Sequence, residues 1–274
     1  MAQPDQGWSL DKRDPQFIRS LFPLWDWFYT YYFQVQSDGW HHVPDRPVLF
    51  VGSHNGGLAV PDMHMAMYDW FRQFGCDRPT YGLMHPNAWL AFPELADIAA
   101  RLGAVRAHPR MAIAAFKQGA SVLVYPGGGQ DAFRPHRQRD RIYFVGRTGF
   151  IKLALRQQVP IVPIVSWGAH DTLYVIDDCY EQVKQLHEWG MPWFKGIDPE
   201  VFPIYLGLPW GLSLGPLPNL PLPSRIHLRV GKPIYFERSG REAVQDKNYV
   251  NACYNTVVEQ MQHDLDELAT VHSN

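Results

Sequence analysis

The feature that most constrains this chain is a short apolar run, Pro47 to Gly52 (PVLFVG), that delivers the backbone straight into Ser53, His54, Asn55, Gly56 and Gly57. A run rich in β-branched residues and bounded by turn residues is the pattern of a strand buried on both faces. Strands of that kind belong to sheets covered by helices on both sides. The rest of the sequence supplies the cover. Met63 to Phe74 (MHMAMYDWFRQF) has helical periodicity and stops at Gly75. Further helices are expected near Trp89 to Leu102, Pro109 to Gln118 and Thr148 to Gln158, and strands at Gly103 to Ala107, Ser121 to Tyr125, Ile161 to Ser166 and Arg225 to Val230. Strands alternating with helices at this spacing predict an α/β fold with a mostly parallel or mixed central sheet. An amphipathic helix over Asn248 to Leu268 closes the chain, and without repeat, linker or low-complexity tract its 274 residues read as one domain.

Two segments sit outside this alternation. Asp14-Pro15 is an N-cap followed by proline at the first helical position, and predicts an aromatic amphipathic helix over residues 14–36, with Trp and Tyr suited both to the core and to a membrane interface. Val201 to Ser224 carries no charge and is long enough to cross a bilayer as a helix. Six prolines (Pro203, Pro209, Pro216, Pro218, Pro221 and Pro223) forbid that helix, so an apolar loop packed on the domain and touching the interface is expected instead.

Composition narrows the partners. A formal net charge of −2 excludes the electrostatic footprint of a nucleic-acid-binding protein. Cys76, Cys179 and Cys253 are odd in number and widely spaced, which fits free thiols in a reducing compartment rather than a disulfide framework. The polar N-terminus lacks a hydrophobic signal region, so the expected location is cytoplasmic and peripheral to a membrane.

His54 is the leading candidate for chemistry, because it follows a buried strand and precedes glycines that let backbone approach a substrate. The ordinary alternative is a histidine that hydrogen-bonds its own turn. A histidine base needs a carboxylate to fix its tautomer, and Asp62 is the nearest, although its position at a helix start also suits a capping role. Asp69 lies further along the same helix and would point away. His64 completes no zinc-ligand spacing with His54 and Asp62, and no metal is expected. The second signal is VYPGGGQDAF, residues 124–133, whose Gly127, Gly128 and Gly129 can present amides to an anion or serve as an ordinary tight turn. It is neither a Walker loop nor a GxGxxG site. Arg134, His136, Arg137, Arg139, Arg141 and Arg147 crowd the next stretch with Asp140 as the only acid, a local excess suited either to a solvated loop or to a phosphorylated carrier or anionic headgroups. No GxSxG elbow exists and no cysteine lies beside a glycine-rich turn, which disfavours a covalent acyl-enzyme.

Taken in order, GSHNGGLAVPD, LGAVRAHPRMAIAAFKQGASVLVYPGGG, GRTGFIKLALRQQVPIVPIVSWG and PLPNLPLPSRIHLRVGKPI resemble the sequence blocks of the lysophospholipid and glycerolipid acyltransferase superfamily over roughly residues 40–235. The resemblance implies a glycerol-3-phosphate acyltransferase-like fold and a His-Asp pair acting without a covalent intermediate. By position it makes His54 the base and Asp62 its partner, with Asn55, Gly56, Gly57, Arg106 or Arg110, Tyr125, Gly127, Gly128, Gly129 and Arg147 around the substrates. Two departures are informative. The common HxxxxD spacing lands on Ala59 rather than on Asp62, a pattern similar to the diacylglycerol acyltransferase and phytyl ester synthase-like branch. Gly127 stands where phosphate-acceptor members carry the glutamate of FPEG, which resembles the branch with neutral acceptors. The expected activity is membrane-associated O-acyl transfer from acyl-CoA or acyl carrier protein to a lipid hydroxyl, that of a lysophospholipid, a diacylglycerol or a long-chain alcohol, with no cofactor beyond the acyl donor. A lipid-binding or transfer protein without turnover, and a hydrolase of acyl esters or thioesters, are the alternatives from other classes.

Overall fold

In a computed structural model, which describes residues 6–91, 93–193 and 196–273, the run beginning at Pro47 is the middle strand of a seven-stranded sheet. The first five residues of the polar N-terminus, residue 92 of the helix expected at 89–102, residues 194–195 and residue 274 lie outside the described residues. Asp14 caps α1 (Pro15–Ser20) by accepting the amides of Gln16 and Phe17. The expected single helix is broken at Leu21, where Pro23 in the next turn has no N–H to give. It resumes as α2 (Phe22–Trp27) and a π-helical turn over Phe28–Tyr32. The two-sided character expected of it is present: Ile18, Trp25, Tyr29 and Phe33 are buried while Leu24, Trp27 and Tyr31 are exposed.

The alternating elements follow as β1 (Gln36–Asp38), β2 (Leu49–Gly52), α3 (Pro61–Phe74), β3 (Thr80–Met84), α4 (Pro86–Ala91), α5 (Pro93–Arg101), β4 (Ala104–Arg106), α6 (Pro109–Lys117), β5 (Ser121–Val124), α7 (Gly128–Ala132), α8 (Gly149–Gln157) and β6 (Ile161–Trp167). After them come β7 (Tyr174–Asp178), α9 (Tyr180–Glu188), β8 (Pro203–Gly207), β9 (Gly211–Leu214), β10 (His227–Val230), α10 (Gly240–Gln245) and α11 (Lys247–Ser273). The large sheet has the order β1-β10-β6-β2-β5-β3-β4; β6 to β4 are parallel and β10 runs antiparallel to β6. It is the mixed, mostly parallel α/β sheet that the spacing predicts.

Several elements escaped the sequence. The helix expected at 89–102 is divided into α4 and α5, the second opening on Pro93. β3 was hidden by Gly82 in its interior, a residue that weakens a strand pattern. The uncharged segment 201–224 is not wholly a loop: β8 and β9 form a hairpin that joins β7 in a second, three-stranded antiparallel sheet. Pro203 is tolerated there because it is the first residue of its strand. No described helix is long and apolar enough to cross a membrane.

Alternation along the strands divides the core into two layers. Leu49 and Val51 of β2, with Ile161 and Val165 of β6, face α6, α8, α10 and α11; Phe50, Val162 and Ile164 face α3 and the N-terminal helices. On the first layer α11 lays Val257, Met261 and Leu265, all buried, along β6. Replacing the fully buried Met261 with Ala should lower stability by about 2–5 kcal/mol in urea unfolding, through lost transfer energy and the cavity left behind.

Candidate active site

β2 and β5 are paired neighbours, and their C-terminal ends bring His54 and Tyr125 together. The two rings stack with centroids 3.8 Å apart and planes 7° apart. Gly52 permits this, because a Cβ there would lie 2.3 Å from the Tyr125 ring. Beyond His54 the chain reverses through Gly56, Gly57 and Val60, whose φ values are 76°, 69° and 36°. The reversal carries Asp62, in the first turn of α3, back to the histidine, with Asp62 Oδ2 3.8 Å from His54 Nδ1. Both atoms are buried and neither has a hydrogen-bond partner. They face each other a little beyond hydrogen-bond reach, an approach that a bound substrate commonly tightens. Asp69, the alternative carboxylate, is held elsewhere by Trp40 Nε1 at 2.7 Å.

The backbone around His54 is fixed by a pair the sequence did not single out as such. Asp131 accepts the His54 amide at 2.5 Å and the Ser53 hydroxyl at 3.0 Å. Arg134 donates to Asp131 Oδ1 at 2.8 Å, to the His54 carbonyl at 2.7 Å and to Asn55 Oδ1 at 2.6 Å. Both side chains are almost completely buried, so the first arginine of the basic stretch is an internal brace and not part of a solvated loop. Asn219, from the proline-rich segment, is a second unforeseen member: its Oδ1 accepts the amides of Leu58 and Ala59, and its Nδ2 donates to the Gly56 carbonyl. A buried asparagine between prolines was the only signal that could have marked it.

An apolar cavity of about 320 Å³, lined by His54 and Tyr125 among others, runs between α3 and the sheet. Met63, Met67 and Trp70 form its helix side, Phe50, Gly82 and Leu123 its sheet side, and Leu102 and Gly103 its far end. Gly57, Gly128 and Gly129 lie on its wall, as does His64, whose imidazolium is disfavoured by burial and only partly favoured by the Asp62 carboxylate. Burial, with the carboxylates of Asp62 and Asp131, pushes the Tyr125 hydroxyl well above its usual range.

Of the other expected site residues, Asn55 is buried and turned toward Ser166 and Arg134, and Gly56 packs against Thr172 and Pro61. Neither lines the cavity, nor do Gly127, Arg106, Arg110 and Arg147. Arg106 lies over the Trp8 ring, and Arg110 is exposed at the start of α6. Arg147 braces the glycine turn from behind by donating to the carbonyls of Pro126 and Gly127, and it pairs with Glu200. The positive excess expected of the basic stretch is largely cancelled: His136 pairs with Asp171, Arg137 with Asp177, and Arg139 with Asp140 and Asp171. Folding supplies acids from distant positions that a linear reading of charge does not see. The described group of side chains close enough to hold a metal ion, His263, Asp264 and Glu267, lies on α11 and not at His54.

Burial pushes the Asp131 carboxyl from 3.8 up to about 6 despite Arg134. An acid whose folded pKa is raised keeps its proton longer in the folded state, so its contribution to stability falls as pH rises from 3.8 to about 6 and is flat above. Relative to Asp131→Asn, the wild type should lose on the order of 3 kcal/mol across that window in urea unfolding; parallel profiles would contradict it.

Known proteins are similar to this chain over much of its length. The model of the diacylglycerol acyltransferase family matches residues 12–273. An uncharacterized protein of Mycobacterium tuberculosis is 28% identical over 233 residues, 81% of this chain and 58% of the relative, so the chain spans somewhat more than half of that protein's length. Human 2-acylglycerol O-acyltransferase 3 is 27% identical over 149 residues, 52% of this chain and 41% of the relative. Among solved structures, the 1-acyl-sn-glycerophosphate (LPA) acyltransferase PlsC of Thermotoga maritima aligns with a TM-score of 0.48 at 16% identity, covering 89% of this chain and 79% of its own. The match over nearly the whole sequence settles the kinship: the chain belongs to the diacylglycerol acyltransferase family.

Proposed function

We propose that this chain is an O-acyltransferase that moves a fatty acyl group from a thioester, acyl-CoA or acyl carrier protein, to the hydroxyl of an uncharged lipid such as an acylglycerol. The observation that carries the reading is a histidine with a buried carboxylate behind it on the wall of an apolar cavity. The cavity suits an acyl chain, and Gly128 and Gly129 on its wall, next to a glycine at 127 in place of an acid, suit a neutral acceptor. The family's name and that of the human relative support an acylglycerol.

With Nδ1 of His54 turned to Asp62, Nε2 is left for the acceptor. It takes the hydroxyl proton as the oxygen attacks the thioester carbonyl; the C–O bond forms, the C–S bond breaks, and the imidazolium returns a proton to the departing thiolate. Gly57, Gly128 and Gly129 lie on the same wall and would supply the nearest backbone amides for the oxyanion. A direct transfer is favoured over an acyl-enzyme, because the Ser53 hydroxyl is engaged by Asp131 and none of the three cysteines lines the cavity.

The acceptor would be met at a membrane surface. Leu206, Leu212 and Leu214 on β8 and β9, Tyr174 and Ile176 on β7, and Trp210 in the hairpin turn are all exposed. A cluster of large apolar side chains of this size is uncommon on a soluble surface and fits a lipid interface. Tyr32 donates to the Pro221 carbonyl, which ties the N-terminal aromatic segment to the same region.

Labelled acyl-CoA incubated with mono- and diacylglycerols tests the reading. His54→Ala should lower the transfer rate by about 10²-fold or more with an unchanged circular dichroism spectrum, and Asp62→Asn should lower it comparably. Unimpaired transfer by His54→Ala would sink the mechanism, loss on Asp69→Asn but not on Asp62→Asn would reassign the partner, and release of free fatty acid without any acceptor would favour a hydrolase. Separately, Leu212→Asp with Leu214→Asp should reduce co-flotation with lipid vesicles several-fold; equal flotation would remove this face from the interface.

A further inference from the structure

From His54 the chain must turn back on itself within a few residues for Asp62 to reach the ring, and the turn does not hold that shape cheaply. Val60 is β-branched, has φ 36° and precedes Pro61, three conditions that oppose one another. A residue held this way is strained and persists only where its surroundings impose it. The imposing contact comes from outside the turn. One side chain, Asn219, accepts the amides of Leu58 at 3.0 Å and Ala59 at 3.3 Å and donates to the Gly56 carbonyl at 3.0 Å. The fit has no slack, since a Cβ on Gly57 would lie 2.8 Å from Asn219 Oδ1. Asn219 is 7% exposed, and its own backbone is pinned by the bond from the Leu220 amide to the Leu208 carbonyl.

We propose that Asn219 is a positioning residue for the His54–Asp62 pair: its carboxamide clamps the turn at 56–59 in the one conformation that returns the Asp62 carboxylate to the histidine. The proposal rests on the reading of His54 as base and Asp62 as its partner. The carboxamide suits the place because its oxygen accepts from two N–H groups while its nitrogen, on a separate atom, donates to a carbonyl. Aspartate keeps the acceptor and loses the donor, and alanine loses both.

The test is a steady-state comparison of Asn219→Ala and Asn219→Asp, each alone and combined with Asp62→Asn, on the full chain with acyl-CoA and an acylglycerol acceptor. Misplacing a reacting group by about 1 Å costs up to about 10²-fold, so Asn219→Ala should lower kcat by about 10- to 100-fold. KM for acyl-CoA should stay within about twofold, since Asn219 is not on the cavity wall. Asn219→Asp should fall between, and it carries the test if the alanine variant does not fold. In the Asp62→Asn background either substitution should cost several-fold less than it does alone, because the contact with Asp62 is already gone and only the placing of Gly57 on the cavity wall is left to lose. Undiminished kcat in both Asn219 variants, with Asp62→Asn impaired, overturns the Asn219 proposal alone. A loss that persists in full in the Asp62→Asn background assigns Asn219 a general scaffolding role and also overturns it. Undiminished turnover by Asp62→Asn itself overturns the reading on which it stands.

Discussion

The buried ion pair between Asp131 and Arg134 is the constraint on which the rest of the site depends. Removing both charges from water is expensive and is offset only where every donor and acceptor finds a partner. Here they do. Arg134 spends its donors on the Asp131 carboxylate, on Asn55, and on the carbonyls of His54, Gln138 and Arg139, while Asp131 accepts the Ser53 hydroxyl and the His54 amide. Two excursions from the sheet, the one after β2 and the one after β5 that carries α7 and the loop at 136–139, are thereby locked to each other. The His54 backbone is gripped at both its N–H and its C=O, and its ring lies stacked on Tyr125.

That grip works because the sheet divides its labour between faces. One face is filled by α6, α8, α10 and α11 and makes the stable body of the fold. On the other, α3 stands away from the strands far enough to leave a channel, because the strand residues beneath it include Gly82, where an added Cβ would meet nothing within 4 Å. A glycine inside a strand usually marks a close approach of something other than side chain. The same strands that bury a core on one side therefore leave room on the other, with the His54–Asp62 pair at the end of that space.

Much of this was legible in the sequence. β2, β5 and β6 were visible as apolar runs, and the placing of His54 and PGGG at their ends followed from them. The return of Asp62 was only half visible: spacing showed that it was too far along for the usual motif, whereas the left-handed residues that close the distance are a backbone property that a valine before proline does not advertise. Asn219 went unmarked and Arg134 was read only as part of the basic stretch, for a common reason. Each lies in a stretch whose composition describes its neighbours, apolar in one case and basic in the other, and its role is set by partners far away in the chain. The hairpin of β8 and β9 was obscured by prolines, although the alternation of IYLG and GLSL was there to be read.

The outward face of that hairpin carries leucines and a tryptophan and no formal charge from Val201 to Ser224. Ionic strength acts on charges, and a surface without them offers salt nothing to screen. Adsorption through such a face would be governed chiefly by the apolar area it removes from water, with salt and headgroup charge acting only through its surroundings, Asp177 and Asp178 of β7 among them. A chain arranged in this way would select membranes more by how readily their hydrocarbon can be reached than by the sign of their headgroups.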